Sequence, residues 1–278
     1  MKVALCCVGK LENDYALEFV EHYKNLGFDK IFIYDNNDLD GEDFNDVIGD
    51  YVNDGFVTII NYRIKTSVLS QRLVYHDCYI RNQKEYDWIA FFDFDEFLTL
   101  TNHKNIKEYL SEDRFNDYDI IHLNWMSFDD NDLIENDGRK LQERFTRPCD
   151  YDFKKSYDFP ENNHIKSIIR TNNRGYINWQ NAVTSHTPAS NVKCCNNIGE
   201  DCQSNSPFNP YNFDLAYIKH YSTKTIGEWL NIKVKRGLMS QYDKGEKKLK
   251  IENFFLQNKK TEEKLQYIED FYKKNQKK

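Results

Sequence analysis

Residues 88–100 read WIAFFDFDEFLTL: an apolar run followed at once by three acids, Asp93, Asp95 and Glu96. A run of β-branched and aromatic residues without alternation reads as a strand buried on both faces of a parallel sheet. Carboxylates at the end of such a strand are costly to bury unless something compensates their charge. Open parallel sheets gather their ligands beyond the carboxyl ends of their strands, so these acids stand where chemistry is expected.

The sequence on the N-terminal side supplies more of the sheet. KVALCCV (2–8), KIFIYDN (30–36) and FVTIINY (56–62) read as strands. Between them, ENDYALEFVEHYKNLG (12–27) sets Tyr15, Phe19, Tyr23 and Leu26 at helical spacing, with Gly27 suited to the stop. A short amphipathic segment carries Phe44, Val47, Ile48, Tyr51 and Val52, and a helix is expected from about Ser70 to Gln83. DWIAFFDF (87–94) is the fourth strand; a helix near 104–111 and the strand DIIHLNWMSF (119–128) follow. This β-α-β-α order predicts an α/β fold with a mostly parallel sheet flanked by helices. From 129 to 212 the pattern loosens into short strands and polar loops, and helical periodicity returns at 225–236 and from 261 onward.

Asp35 closes the second strand, so a parallel sheet brings it to the same edge as Asp93 and Asp95. On an extended segment alternate residues point the same way, which directs Asp93 and Asp95 together and turns Phe94 into the core. Two carboxylates that close favour a hard divalent cation, Mg²⁺ or Mn²⁺. Surface loops also carry Asp-x-Asp by chance; here the pair directly follows a buried strand.

Composition narrows the function. A formal net charge of −7 argues against nucleic acid as the main partner. The longest apolar runs fall far short of the roughly 20 residues that span a bilayer, and MKVALCCVG reads as a first strand rather than a signal peptide, so a cytoplasmic location is expected. The seven cysteines look like reduced thiols. Cys149, Cys194, Cys195 and Cys202 form no Cys-x-x-Cys pair and no His-x-x-x-His accompanies them, so a structural zinc site is not expected.

The chain resembles nucleotide-sugar glycosyltransferases of the GT-A fold, in the family 2-like and family 92-like group. The resemblance rests on LENDYALEFVEHYKNLGFDKIFIYDNND (11–38), QRLVYHDCYIRNQKEYDWIAFFDFDEFL (71–98), LNWMSF, ERF, IKSIIR, IKHYSTKTIGEW (218–229) and KVKRG, in order over about residues 3–237. One departure is DDND after NWMSF, where relatives carry a Gly-containing turn.

The resemblance implies a donor-binding half over residues 1–128, an acceptor-binding and site-closing half over 129–240 and a helical tail over 241–278. The implied activity is metal-dependent transfer of a hexose from a UDP-sugar to an oligosaccharide or lipid-linked glycan, inverting, in surface polysaccharide synthesis. By motif position Asp93 and Asp95 would hold metal and diphosphate, with His220 completing the shell; a histidine among apolar neighbours is otherwise a packed residue. Asp35 would contact base or ribose, with Glu12 near the nucleotide. Arg72 would reach the nucleotide or its phosphates, or lie on the surface. Lys224 and Lys235 or Arg236 would meet the diphosphate, or sit on a solvated face.

An inverting transfer needs a carboxylate to take the acceptor's proton. Asp130 is the first choice and Glu96 the second, among Glu96, Asp129, Asp130, Asp158 and Glu161. Trp125, Trp179 and Trp229 are candidates to stack on sugars, Trp179 foremost. The tail YKKNQKK offers peripheral contact with anionic lipid or a solvated helix end. Two other readings use similar residues: a Mg²⁺-dependent sugar nucleotidyltransferase, and a non-catalytic carbohydrate-binding protein.

Overall fold

The computed structural model describes residues 1–63, 71–149, 161–173, 175–234 and 251–275. The chain forms two compact units, Met1–Met126 with Tyr151–His220, and Ser127–Asp150 with Tyr221–Lys278. This is a division by compactness, whereas that at 128 and 240 is one by role; by compactness the segment 151–220 belongs with the first unit.

The first unit is built on a nine-stranded sheet. Its strands are β1 (Val3–Gly9), β2 (Lys30–Asp35), β3 (Val57–Asn61), β4 (Trp88–Phe91), β5 (Glu96–Leu100), β6 (Ile120–Ser127), β7 (Ile165–Arg170), β10 (Cys194–Cys195) and β11 (Ala216–His220). The short pair β8 (Ile177–Asn178) and β9 (Ala189–Ser190) stands apart from it. The order is β3-β2-β1-β4-β7-β6-β11-β5, with β10 on β6. β1 to β4 pair in parallel, and Val3 to Cys7 and Trp88 to Phe91 are fully buried, as an apolar run without alternation requires. The expected mostly parallel α/β sheet is therefore present, with α1 (Asn13–Asn25), α2 (Asn45–Asn53) and α3 (Gln71–Asn82) on its connections. Gly27 ends α1 at φ 88, where a side chain would be strained.

Two strands lie outside the simple parallel order. β7 runs antiparallel to both β4 and β6 and separates them, so the strand after the acid cluster is not β4's neighbour. β5 begins directly at Glu96 and pairs antiparallel with β11. β4 stops at Phe91 because the chain turns there: Glu96 N–H donates to Asp93 O at 3.0 Å. Asp93 and Asp95 thus stand in a tight turn rather than on an extended segment. Phe94 is turned inward as expected, stacked on Phe44 and against Phe19, where only a residue without a side chain fits at Gly9.

The second unit packs Ile226, Trp229, Leu230 and Phe254 into a core, covered by Tyr267, Ile268 and Phe271 of the helix Glu262–Asn275. Thr225 and Glu228 form a capping box, and Arg144 donates to both oxygens of buried Glu228 at 2.9 Å. The helical pattern from 225 becomes a wider π-type turn over Trp229–Lys233. Among the described residues no helix is long and apolar enough to cross a membrane.

Candidate functional site

The parallel register carries the ends of β1, β2 and β4 to one edge of the first unit. Gly9 pairs with Asp35, and Cys6 with Phe91, so Leu11–Glu12, Asp35–Asn37 and the turn at 93–96 all follow from that edge. Asn37 ties two of these loops together. It donates to Asp35 Oδ1 through its backbone N–H and Nδ2, and its Oδ1 accepts Leu11 N–H at 2.9 Å.

The acids of WIAFFDFDEFLTL separate into two sets. Asp93 Oδ1 accepts from Gln71 Nε2 at 2.8 Å, and its Oδ2 lies 2.6 Å from Lys166 Nζ. Asp95 Oδ1 and Glu96 Oε1 each lie 3.8 Å from His220 Nε2. His220 and Glu96 meet because β11 and β5 place them directly opposite, and residues so paired project on the same face. All three are buried, and their ligand atoms lie within 4.8 Å of one another. Cation ligands at about 2.1–2.3 Å, subtending 90–120°, sit about 3–4 Å apart, and both 3.8 Å separations fall in that range, so the two carboxylates and the imidazole could hold a divalent cation. Asp95 and His220 are brought together as expected; Glu96 joins them in place of Asp93.

Lys166 was missed in the sequence. It is 2 % exposed, yet its Nζ reaches Asp93 and, at 3.0 Å, Glu96 Oε1. Burial alone would lower its pKa, but the two carboxylates more than offset this and hold it above its ordinary value. One lysine does not neutralise three acids. Burial pushes Glu96 up to about 8; Lys166 opposes this, while Asp93 and Asp95 reinforce it. The cluster takes either a proton or a further cation near neutral pH. The sequence signal was a lysine inside the apolar strand IKSIIR, where an unpaired charge is not tolerated.

Asp35 is buried, with Arg63 Nε at 2.8 Å from its Oδ2. Arg63 also donates to Glu42 O and Asp38 O, so it binds the loop after β2 into one piece. An open groove of about 600 Å³ runs beside Lys30, Asp35, Leu39, Asn45, Thr58 and Arg63; Asp93, Asp95 and His220 are not among its lining residues. Glu12 is buried at the start of α1, after Leu11 at φ 57, and its carbonyl accepts the first amides of the helix. Arg72, on the first turn of α3, donates to Val183 O at 3.4 Å.

Asp130, Lys224, Asp129 and Trp229 belong to the second unit. Asp130 is buried, with Lys264 Nζ 2.5 Å from its Oδ2, and its backbone N–H donates to Asn258 Oδ1. Burial raises its pKa and Lys264 opposes the rise. Lys224 is buried at φ 54, immediately before the Thr225 cap. Asp129 pairs with Arg147 at 2.6 Å, and Glu161 starts a short turn ahead of β7 in the first unit. Asp158, Lys235 and Arg236 lie outside the described residues. Trp179 is an interior residue, packed on Phe91 and Tyr79 with its Nε1–H donating to Ser185 O, and Trp229 belongs to the second unit's core. Trp125 instead packs against His220, with ring centroids 4.0 Å apart, and against His164.

The model of glycosyltransferase family 92 matches residues 3–276. A family 92 protein of Ricinus communis is 30% identical over 109 residues, which is 37% of this chain and 18% of that protein. One from Arabidopsis thaliana is 29% identical over 111 residues, 38% of this chain and 18% of that protein. The match thus spans about a fifth of the length of these relatives. Among solved structures, S. aureus TarS 1–349 aligns with a TM-score of 0.43 and 13% identity, covering 80% of this chain and 61% of that one. The chain belongs to glycosyltransferase family 92.

Proposed function

We propose that this family 92 chain transfers a hexose from a UDP-sugar to a hydroxyl of an oligosaccharide or lipid-linked glycan, with inversion, using Mn²⁺ or Mg²⁺. The product in this reading is surface polysaccharide, made in the cytoplasm at the inner face of the membrane, with the basic end at Lys273 and Lys274 near anionic lipid.

One observation carries the reading. Asp95, Glu96 and His220 form a buried three-ligand cluster at the carboxyl end of a parallel strand, with more carboxylate charge than Lys166 neutralises. A divalent cation held there supplies positive charge where a departing diphosphate gains negative charge. Lys166 holds Asp93 and Glu96 in place, and Gln71 fixes the other oxygen of Asp93. Asp35 serves the nucleotide through Arg63, whose guanidinium it orients, while Glu12 shapes the adjoining loop. Arg72 and Lys224 are assigned to the phosphates.

Proton removal from the acceptor falls to Asp130 or Glu96. The first must part from Lys264 and the second from the cation cluster. The pH–rate profiles of Asp130→Asn and Glu96→Gln separate them, because only loss of the base abolishes the acidic limb.

Calorimetric titration of UDP with and without Mn²⁺, repeated on Asp95→Ala, tests the reading. Mn²⁺-dependent binding that the variant loses is the expected result. No binding in either condition overturns the UDP donor, and equal binding in both removes the cation. Release of UDP from a UDP-sugar, rather than of inorganic diphosphate, separates transfer from nucleotidyl chemistry.

A further inference from the structure

A second cluster of ligating side chains lies in the first unit, made of residues the proposed reaction does not use. His122 is buried on β6, and β10 pairs with that strand in parallel, Cys194 opposite Ile120. Ile120 and His122 are two residues apart, so Cys194 projects on the same face as the imidazole. The chain then turns back. Asn196 Oδ1 accepts the amides of Ile198 and Glu200, Gly199 takes φ 82, and Cys202 N–H donates to Cys194 O at 3.2 Å.

The turn delivers the second thiol to the first. The two sulfurs lie 3.1 Å apart, and Cys202 Sγ is 3.4 Å from His122 Nδ1. All three ligand atoms fall within 4.8 Å of one another. The imidazole of His122 is 1 % exposed and presents Nδ1 to the Cys202 thiol. Asn209 Nδ2 stands 3.1 Å from the same nitrogen.

We propose that His122, Cys194 and Cys202 bind one zinc ion that fastens the 194–202 turn to the sheet, the fourth position falling to water. Two thiolates and an imidazole are a ligand set zinc prefers, and they differ in kind from the oxygen-rich Asp95–Glu96–His220 cluster. Zinc holds sulfur at about 2.3 Å and nitrogen at about 2.0 Å, which sets neighbouring ligand atoms about 3.5–3.8 Å apart. The sulfurs separate by about 0.7 Å to reach that spacing. On binding, two Zn–S bonds form, two S–H bonds break and two protons leave to solvent; no electron moves. Sequence spacing concealed the set because its members lie at 122, 194 and 202, with no Cys-x-x-Cys.

The test is spectroscopic, on the full chain purified under reducing conditions and titrated with Co²⁺ and then Zn²⁺. One equivalent of Co²⁺ is expected to give near-ultraviolet thiolate charge-transfer absorption, displaced by Zn²⁺. Cys194→Ser and Cys202→Ser abolish it, and Asp95→Ala leaves it intact, which separates this site from the acid cluster. In the wild-type chain, Zn²⁺ should protect two thiols from alkylation, a readout that does not depend on the variants folding. Absence of the thiolate band in wild type overturns the proposal. So does a chain lighter by two hydrogens with Cys194 and Cys202 cross-linked.

Discussion

Glu96 and His220 stand directly opposite each other in the antiparallel β5–β11 ladder, with Glu96 Oε1 3.8 Å from His220 Nε2. That separation is too long for a hydrogen bond and suits two ligands of one ion. His220→Ala should therefore weaken Mn²⁺ binding by at least about tenfold, about 1.4 kcal/mol, in an electron paramagnetic resonance titration. An unchanged Mn²⁺ affinity would remove His220 from the cation set.

Lys166→Met should destabilise the first unit. The lysine is buried against Asp93 and Glu96, and removing one partner of a buried pair leaves uncompensated charge, at about 3–5 kcal/mol. Two adjustments follow: Mn²⁺ should raise the melting temperature of the variant more than that of wild type, and adding Glu96→Gln should recover part of the loss. A variant that melts like wild type would show that Lys166 does not hold the cluster.

These two residues mark what was legible in the sequence. His220 was set beside the acids by the resemblance alone, since a histidine among apolar neighbours otherwise reads as a packed residue. Lys166 was missed, because it lies on β7, 73 residues after Asp93, and local periodicity says nothing about which strands become neighbours. The apolar runs of β1, β2 and β4 announced a buried parallel sheet because burial on both faces demands them. The Asp93–Asp95 geometry was misread for a local reason: a backbone turn closing on Glu96 replaced the extended segment, sending one carboxylate to Lys166 and the other toward His220. Asp35 was located correctly at its strand end, but its partner Arg63 gave no periodic signal after β3.

His22 makes the first unit sensitive to acid. Its Nε2–H donates to Leu98 O at 2.9 Å, and burial lowers its pKa from 6.5 to about 4. Between those values the unfolded chain binds the extra proton, so stability is fully present above pH 6.5 and declines as pH falls toward 4. The slope from this group is at most about 1.4 kcal/mol per pH unit. Glu96, with its raised pKa, acts in the opposite sense between about 8 and 4.5, which is why a difference is the proper measurement. Urea unfolding of wild type and His22→Gln from pH 7 to 4.5 should show a shallower acid decline in the variant; parallel curves would remove His22 as the cause.

Gly9→Ala tests how the core of the first unit sets the acid turn. A Cβ at Gly9 would stand 2.5 Å from Phe94 Cε2 and 2.8 Å from Phe44 Cζ, inside the stacked pair these rings form. Neither ring is the far end of a flexible chain, so the aromatic between Asp93 and Asp95 has to move. Overpacking of this kind costs about 1–3 kcal/mol, seen as a lower urea midpoint with an unchanged slope. The displaced ring also carries the turn with it, so Mn²⁺ affinity should fall although no ligand has been altered. Loss of stability with Mn²⁺ affinity intact would separate Phe94's packing from the geometry of the acids. Loss of both would show that a single missing side chain at the end of β1 holds the Asp95–Glu96–His220 cluster in register.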